Sequence, residues 1–352
     1  MANNGKTVKA NGVKMPTIKD VAFMAGVTPA IVSRVFNNDA KLNIKEETRA
    51  KVLDAIEKLQ YRPNPMARSL RTNSNKTIGV LISDINNPFY SEIIKGVQMA
   101  AREHDYCIIL GDTSDTPHEE RRFIENLQSQ FVDGIILSSV YIEDDVVELL
   151  EERGTHYVMV NRGSTNSTAP HVRTNEDEGM IAAVNHVIEL GHTKIACIHG
   201  PLYADTAVRR LQGFRKALKD ADIEYNPEYV AEGRFDENSG YLAGKKLLTL
   251  DDPPSAICSC NDLMAIGVMR AAQELGLCIP EDFSLVGFNN IWITDILAVP
   301  LTTVETPLID MGKEAFRALM ALIKGEEITK TTITLPIKLI VRESTSPPKE
   351  GK

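Results

Sequence analysis

The chain has 352 residues, of which 43% are apolar and 25% charged, with 39 Lys and Arg against 48 Asp and Glu. This length predicts two or three domains, the apolar fraction excludes a disordered chain, and no apolar run approaches the roughly 20 residues of a membrane span. Because the first residues are polar and lack the apolar segment of a signal peptide, and the five cysteines are scattered, we expect a cytoplasmic protein with reduced thiols.

Charge is distributed unevenly along the chain. Residues 1–75 contain 13 basic and 6 acidic residues, a net charge of +7, whereas the rest contains 26 basic and 42 acidic residues, a net charge of −16. A basic segment joined to an acidic body predicts that the segment meets a polyanion while the body stays clear of it. On charge alone, an ordinary solvated tail is the alternative.

The basic segment begins with the pattern of a helix-turn-helix. Thr17 and Asp20 form a capping box that opens a short helix. Gly26 suits the left-handed conformation that a tight turn requires. A second helix follows at once, because Thr28 is a good N-cap and Pro29 fits the first helical turn.

Apolar positions on these helices predict a small three-helix core. The predicted core residues are Val32, Val35 and Phe36 of the second helix and Val52, Ile56 and Leu59 of a third helix over residues 45–60. Two short helices with such a turn, on a segment of net charge +7, favour DNA binding.

The segment after the third helix has the residue types of a hinge that folds on a partner. Asn64 and Pro65 can begin a helix of about seven residues, which is too short to be stable alone in water. Met66 and Leu70 give it an apolar edge, and Arg68 offers positive charge to phosphates. This pattern indicates a linker that orders on the minor groove and inserts an apolar wedge. The alternative is an interdomain tether whose Leu70 packs on the body.

The acidic body alternates short β-rich runs with amphipathic helical segments. Alternation of this kind predicts parallel sheets flanked by helices, with a ligand cleft at the carboxyl ends of the strands. The predicted strands are Ile78–Ile82, Cys107–Leu110, Gly134–Leu137, Tyr157–Val160, Lys194–Ile198, Ala256–Cys260, Ser284–Gly287 and Ile337–Val341. The predicted helices are Tyr90–His104, Arg122–Gln130, Met180–Leu190, Arg209–Ala221, Asp262–Leu275 and Ile309–Ile323.

The sequence gives little support to the hypothesis that the protein is an enzyme. Glycine-rich nucleotide loops, the G-x-S-x-G elbow and the H-E-x-x-H zinc motif are missing from the chain. The seven histidines are isolated, and Cys258 and Cys260 lie within one predicted strand without a matching pair, which indicates core residues. We therefore predict no catalytic residue, no metal ligand and no cofactor.

Short motifs along nearly the whole chain match a known family in sequence and in order. In the basic segment they are Thr17-Ile18-Lys19-Asp20-Val21-Ala22, Val32-Ser33-Arg34-Val35, Glu47-Thr48-Arg49 and Ala67-Arg68-Ser69-Leu70. In the body they are Ile78-Gly79-Val80, Val132-Asp133-Gly134, Gly191-His192, Arg210-Leu211-Gln212-Gly213-Phe214, Asn261-Asp262, Val286-Gly287-Phe288, Leu301-Thr302-Thr303-Val304 and Val341-Arg342-Glu343-Ser344-Thr345. With these motifs the chain resembles the lactose/galactose-repressor (LacI/GalR) family.

The resemblance implies an all-α helix-turn-helix headpiece and an α/β periplasmic-binding-protein-like core of two doubly wound parallel-sheet subdomains. The implied division is a flexible tail (1–15), the helix-turn-helix domain (16–61), a hinge helix and linker (62–76) and an effector-binding and dimerisation core (77–345). Within the core, the N-subdomain comprises 77–173 and 304–332 and the C-subdomain 174–303 and 333–345, with chain crossings near residues 173, 304 and 333.

The resemblance also implies which residues touch DNA. They are Thr17, Thr28, Pro29, Ala30, Ser33, Arg34 and Asn37 in the helix-turn-helix, and Met66, Ala67, Arg68 and Leu70 in the hinge. Arg34 is the best candidate for base reading, since a guanidinium can pair with guanine through two hydrogen bonds. Pro29 and Ala30 offer only apolar contact. The resemblance is weaker before the third helix, where the loop 37–43 is slightly long and Lys45 replaces a frequent capping serine.

The effector-binding residues implied by the resemblance come from both subdomains. They are Asp84, Phe89, Tyr90, Ser138, Asn161 and Arg162 from the first, and Thr206, Arg210, Phe235, Asn261 and Asn289 from the second. Asn289 stands where the family usually has an acidic residue. An amide brings no negative charge to balance Arg210, so we expect a neutral or anionic ligand.

Together these features predict a ligand-responsive repressor that binds a near-palindromic operator as a homodimer. The expected effector is a small metabolite, a sugar or sugar derivative in the first place, although a nucleobase also fits. Two alternatives stay open: a catabolite-control regulator whose co-effector is a phosphorylated carrier protein, and a solute-binding protein of a transport system. A solute-binding protein would normally carry an export signal and lack a basic helix-turn-helix.

Overall fold

The computed structural model describes residues 16–39, 41–62, 74–130, 132–328 and 330–349. They belong to two compact units, Met1–Asn75 and Lys76–Lys352. The predicted tail at 1–15 and most of the predicted hinge, including Met66, Ala67, Arg68 and Leu70, lie outside the described residues.

The described residues of the first unit contain three helices: α1 (Ile18–Ala25), α2 (Pro29–Phe36) and α3 (Glu46–Lys58). At the start of α1 the Asp20 carboxylate accepts hydrogen bonds from the Thr17 backbone N–H (2.6 Å) and from its hydroxyl (2.7 Å). Gly26 ends α1 with φ +66°, in the left-handed region that favours glycine. The turn then places Thr28 as the N-cap of α2 and Pro29 in its first turn.

The core of this unit differs in part from the predicted one. Its buried residues are Val21, Ala22, Val32, Val35, Leu42, Val52, Ala55 and Tyr61. Phe36 is 42% exposed, because Tyr61 occupies the core beside it and meets its ring edge to face at 6.4 Å. On α3 the buried position after Val52 is Ala55, while Ile56 and Leu59 are only partly buried. Ile56 and Leu59 thus pack against the core as predicted, and Phe36 is the exposed one among the predicted residues.

The second unit contains two parallel-sheet subdomains. The N-subdomain sheet has the order β11-β5-β4-β3-β1-β2, and all of its paired strands are parallel. Its strands are β1 (Thr77–Ile82), β2 (Cys107–Asp112), β3 (Gly134–Leu137), β4 (Tyr157–Val160), β5 (His171–Thr174) and β11 (Thr332–Leu335). Helices cover both faces: α4 (Pro88–Glu103) and α11 (Leu308–Lys324) on one, α5 (Pro117–Ser129) and α6 (Asp145–Glu152) on the other.

The C-subdomain repeats this plan with one antiparallel edge. Its order is β12-β10-β9-β8-β6-β7, in which only the pairing of β12 with β10 is antiparallel among the described strands. The strands are β6 (Ile195–His199), β7 (Val230–Glu232), β8 (Ala256–Ser259), β9 (Ser284–Asn289), β10 (Thr302–Glu305) and β12 (Lys338–Ile340). The helices are α7 (Glu176–Glu189), α8 (Asp205–Asp220), α9 (Glu237–Leu248) and α10 (Asp262–Leu275).

The chain passes between the two sheets three times. The passages lie between β5 and α7, between β10 and α11, and between β11 and β12. The positions implied from sequence, 173, 304 and 333, fall within three residues of them. In the described part of the chain, no helix is long and apolar enough to cross a membrane.

Two helix pairs pack unusually closely because glycines face the neighbouring backbone. A Cβ added to Gly96 of α4 would lie 2.0 Å from the Ile309 carbonyl oxygen of α11, and one added to Gly267 of α10 would lie 2.1 Å from the Glu237 carbonyl oxygen of α9. Since backbone atoms cannot give way as side-chain ends do, only glycine fits at these crossings. They fix the helices that carry the strand-end loops.

Candidate functional site

A small cavity lies where the strand-end loops of the two subdomains meet. It encloses about 20 Å³, room for about one water molecule. Nine of the eleven residues implied for effector binding line it. They are Phe89, Tyr90, Asn161, Arg162, Thr206, Arg210, Phe235, Asn261 and Asn289, and they are joined by Asn87.

The aromatic wall of the N-subdomain is fixed at the first turn of α4. Asn87 caps this helix, and its side-chain oxygen accepts a hydrogen bond from the Phe89 backbone N–H at 3.1 Å. Phe89 and Tyr90 are buried and meet edge to face, with ring centroids 5.1 Å apart. Burial raises the pKa of the Tyr90 phenol, so it is protonated at neutral pH. Asn87 was missed from the sequence, although an Asn followed directly by Pro88 is a capping signal.

Arg162 brings a buried positive charge to the same side. Its side chain is 3% exposed, and its Nη1 donates to Asp115 Oδ1 at 2.6 Å. The guanidinium also lies 5.5 Å from the centroid of the Phe235 ring, which belongs to the C-subdomain. The charge of Arg162 is therefore already balanced by Asp115, a residue that the sequence did not single out.

Asn161 presents an open acceptor. Its backbone has φ +68°, and its carbonyl oxygen lies 3.0 Å from His171 Nε2. Its side-chain Oδ1 is buried and has no hydrogen-bond partner among the described residues. Since an unpaired buried acceptor is costly, this atom favours a ligand that donates an N–H or O–H group.

Arg210 anchors the opposite side of the cavity within a dense network. Its Nε donates to Glu176 Oε2 at 2.5 Å, its Nη1 donates to the Cys260 carbonyl oxygen, and its Nη2 lies 3.3 Å from Asn289 Oδ1. The Phe288 ring covers the guanidinium at 3.8 Å. Burial alone would raise the pKa of Glu176, but the charges of Arg210 and Arg209 outweigh it and hold that pKa below its ordinary value.

This network corrects the reasoning from Asn289. We expected an unbalanced Arg210 because position 289 is an amide. Instead Glu176, which is fully buried, supplies the balancing charge from the first turn of α7. Both guanidinium groups of the cavity are thus paired with carboxylates, which favours a neutral ligand over an anionic one.

The remaining C-subdomain residues hold the cavity wall in place. The Asn261 side chain caps α10 by accepting from the Met264 N–H at 2.9 Å, and it donates to the Phe235 carbonyl oxygen at 2.8 Å. Phe235 has φ +63°, a conformation that side chains rarely adopt and that the surrounding contacts maintain. Thr206 lines the cavity from the start of α8.

Two residues implied for the site lie outside the cavity lining. The Asp84 carboxylate turns back to its own loop and accepts hydrogen bonds from the Asn86 N–H (2.8 Å) and its side-chain amide (3.0 Å). Ser138 is fully buried at the end of β3. The Asp84 carboxylate is thus engaged within its own turn, whereas the buried Ser138 hydroxyl has no hydrogen-bond partner among the described residues.

The residues implied for DNA contact share one property in the helix-turn-helix unit. Thr17, Thr28, Pro29, Ala30, Arg34 and Asn37 are exposed, and Ser33 is half-buried. Arg34 Nε donates to Asp39 Oδ2 at 2.8 Å, which orients the guanidinium and leaves its two Nη atoms outside that bond. Asn37 Nδ2 donates to the Ser33 carbonyl oxygen at 2.7 Å. An arginine held in this way is suited to end-on pairing with guanine.

The ranges that the structure describes contain no cluster of metal-ligating side chains. No group of three or more His, Cys, Asp or Glu side chains there is placed to hold a metal ion. Cys258 and Cys260 are fully buried in the C-subdomain core, as the sequence indicated.

Two models of known protein families match parts of the chain. Residues 17–64 match the family of bacterial regulatory proteins of the lacI type, and residues 184–345 match a periplasmic binding protein-like domain. The HTH-type transcriptional repressor PurR of Vibrio vulnificus is 37% identical over 331 residues, which cover 94% of this chain and 98% of PurR. The repressor CytR of Escherichia coli is 35% identical over 330 residues, with 94% and 96% covered.

Solved structures agree with these relatives. A lac repressor dimer bound to operator and the anti-inducer ONPF superposes with a TM-score of 0.85 at 28% identity, covering 95% of this chain and all of that one. The regulator CelR in complex with cellobiose gives a TM-score of 0.72 at 33% identity, with 94% and 99% covered. The chain therefore belongs to the lacI family of bacterial regulatory proteins and is a DNA-binding transcriptional regulator, not an enzyme.

Proposed function

We propose that this regulator is a repressor that binds a near-palindromic operator as a homodimer, and that a neutral metabolite in the cavity controls its affinity for that operator. The observation that carries the proposal is the cavity itself. Residues of both subdomains line it, and its two buried guanidinium groups are already paired with Asp115 and Glu176. A ligand there touches both subdomains at once and so biases their arrangement.

The lining supports a class of effector. Phe89, Tyr90 and Phe235 offer rings that stack on the flat face of a sugar or a base. Asn161 Oδ1 needs a donor, and Asn289 adds an amide. A sugar or sugar derivative meets both demands, and CelR, a solved relative, is bound to cellobiose. The cavity of about 20 Å³ implies that the cleft opens before such a molecule enters.

The DNA-binding side of the proposal rests on α2. The exposed residues at its start, together with Arg34, suit the major groove, and the predicted hinge residues Met66, Ala67, Arg68 and Leu70 would reach the minor groove. A lac repressor was solved as a dimer on its operator, which supports the same arrangement here. Operator binding places the protein in the cytoplasm.

The proposal is tested with full-length protein and DNA fragments selected from its own genome. Fluorescence anisotropy measures binding to a selected duplex and to a random duplex at two salt concentrations, with cellobiose, ribose, adenine or uridine added. We expect salt-dependent binding that at least one compound changes by about fivefold or more. Arg34→Ala should weaken binding to the selected duplex about tenfold more than to the random one. The matched control is Lys58→Ala, in an exposed ion pair of α3.

Two results would contradict the proposal. One is the absence of salt-dependent binding to any selected duplex, with or without the compounds. The other is an equal loss of both affinities in Arg34→Ala, which would assign Arg34 to phosphate contact alone.

A further inference from the structure

A single carboxylate bonds both subdomains at the edge of the cavity. Asp115 lies in the loop between β2 and α5 of the N-subdomain. Its Oδ1 accepts from Arg162 Nη1 at 2.6 Å, and its Oδ2 accepts from Tyr203 Oη at 2.6 Å. Arg162 follows β4 of the same subdomain, whereas Tyr203 lies between β6 and α8 of the C-subdomain. Asp115 therefore connects a cavity residue of one subdomain to the surface of the other.

The loop holds Asp115 in a defined position. Ser114 and Asp115 have φ +49° and +51°, a left-handed conformation that is uncommon for residues other than glycine. The Asp112 carboxylate accepts from the Ser114 N–H at 2.7 Å, and the Asp115 carbonyl oxygen accepts from Tyr141 Oη at 2.6 Å. Two consecutive residues in this region persist because these bonds fix the loop.

Further contacts across the cleft surround the same point. The rings of Tyr141 and Tyr203 lie 4.7 Å apart, and the Ile142 N–H donates to the Tyr203 carbonyl oxygen at 3.0 Å. The Gly163 N–H donates to Asp205 Oδ1 at 3.0 Å. All of these bonds join one subdomain to the other, so opening the cleft breaks them together.

We propose that Asp115 is a positioning residue of the effector site, which balances the charge of Arg162 and couples the filled cavity to closure through Tyr203. The inference rests on the proposed function, because it takes the cavity as the effector site. An effector against Arg162 or Phe235 keeps the guanidinium facing Asp115, and Asp115 then holds Tyr203. When the cleft opens, the Tyr203 hydroxyl donates to water instead of to the Asp115 carboxylate. A hydrogen bond to a charged group contributes about tenfold to the ratio of closed to open molecules.

The chain offers a natural reporter of closure. Trp292 is its only tryptophan and is 58% exposed. It follows β9 of the C-subdomain, yet its neighbour Ile291 is buried in the hydrophobic core of the N-subdomain, against which Ile293 also packs. Tryptophan emission therefore reports on contact between the two subdomains.

The test compares Tyr203→Phe with Tyr241→Phe in the full-length protein. Tyr241 Oη also donates to a carboxylate, Glu274, but both lie within the C-subdomain on α9 and α10. Hydrogen exchange followed by mass spectrometry should show amides of residues 113–116 and 141–143 exchanging about tenfold faster in Tyr203→Phe, with altered Trp292 emission. Tyr241→Phe should leave both readouts at the wild-type value. Equal behaviour of the two variants would overturn the proposal.

A second variant tests the charge. Asp115→Asn keeps an acceptor for Tyr203 but leaves Arg162 unbalanced, so inorganic phosphate at constant ionic strength should bind at least tenfold more tightly than to wild type, as measured by calorimetry. Glu274→Gln, an exposed carboxylate removed elsewhere, is the control. If the phosphate affinity of Asp115→Asn equals that of wild type, Asp115 does not balance the charge of Arg162. If Asp115→Asn fails to fold, the proposal stands or falls on the result for Tyr203→Phe. Failure of the proposed function is distinct, since it appears as wild-type protein that binds neither operator nor compounds.

Discussion

Replacing Glu176 by Gln tests the electrostatic account of the cavity most directly. Glu176 is 0% exposed, and its Oε2 accepts from Arg210 Nε at 2.5 Å while its Oε1 accepts from the Thr174 hydroxyl at 2.5 Å. Gln keeps the size of the side chain and removes its charge. Arg210 then remains in the protein interior without the carboxylate that pairs with it, and keeps hydrogen bonds to the neutral oxygens of Cys260 and Asn289.

The magnitude follows from the burial of both partners. Removing one partner of a buried ion pair costs about 3–5 kcal/mol, because the other charge stays desolvated. For a unit of this size each kcal/mol lowers the melting temperature by about 2–4 °C, so we expect a decrease of about 6–20 °C at pH 7. The pKa of Glu176 is lowered in the folded protein, so its contribution is present above its ordinary pKa of 4.5 and is lost as the pH falls below that value. The difference between wild type and variant should therefore shrink in acid.

The assay is thermal unfolding of Glu176→Gln, Arg210→Met and the double variant. The double variant should be less destabilised than the sum of the two single variants, since removing both charges leaves neither unpaired. Glu274→Gln, which breaks the exposed pair with Lys245, should cost at most about 1 kcal/mol. If Glu176→Gln melts within the range of this control, the buried pair does not stabilise the cleft and the argument for a charge-balanced cavity fails.

Three further outcomes are expected. Burial, then the charge of Asp144, raises the pKa of Glu120 to about 8; its folded form retains a proton, so wild-type stability falls as the pH rises from about 4.5 to 8. Glu120→Gln should make this fall smaller in melts between pH 5 and 9, while Asp262, whose pKa burial raises to about 7, still contributes to it; Glu119→Gln should leave the fall unchanged. Gly267→Ala should cost about 1–3 kcal/mol in denaturant unfolding, because its Cβ meets the Glu237 backbone, while Gly233→Ala, which meets the flexible Met264 side chain, should cost less. Asn289→Asp should weaken binding of glucuronate relative to glucose by about threefold in calorimetry, since it adds a second carboxylate near Arg210; an unchanged ratio counts against the pocket position of residue 289.

Much of the fold followed from periodicity and capping, and the misses have a common cause. The helix Asp262–Leu275 was predicted with its observed ends, because Asn261 caps it and Gly276 ends it in the left-handed conformation. Four strands were not predicted: His171–Thr174, Val230–Glu232, Thr302–Glu305 and Thr332–Leu335. Predicted strands of the same length, such as Gly134–Leu137 and Tyr157–Val160, are apolar throughout, whereas each of the four missed strands contains polar or charged residues and forms through pairing with distant strands.

The residues of the candidate site also divide into those that were expected from the sequence and those that were missed. Asn161 and Asn261 were implied by the family resemblance, and each also follows a predicted strand, at the edge of the sheet where a cleft was expected. Asp115 and Glu176 were missed, since an ion pair between distant positions leaves no local pattern. The structure pairs Arg162 and Arg210 with these two carboxylates in the protein interior.

The three passages of the chain between the sheets have a consequence for how the protein can be divided. Each subdomain is assembled from separate stretches of sequence, so no single cut releases one of them intact. A truncation or a fusion inserted near residue 175 separates strands β1 to β5 of the N-subdomain from its last strand, β11, and from its helix α11. A junction between Asn75 and Lys76, in contrast, leaves every strand of both sheets on the same side of the cut.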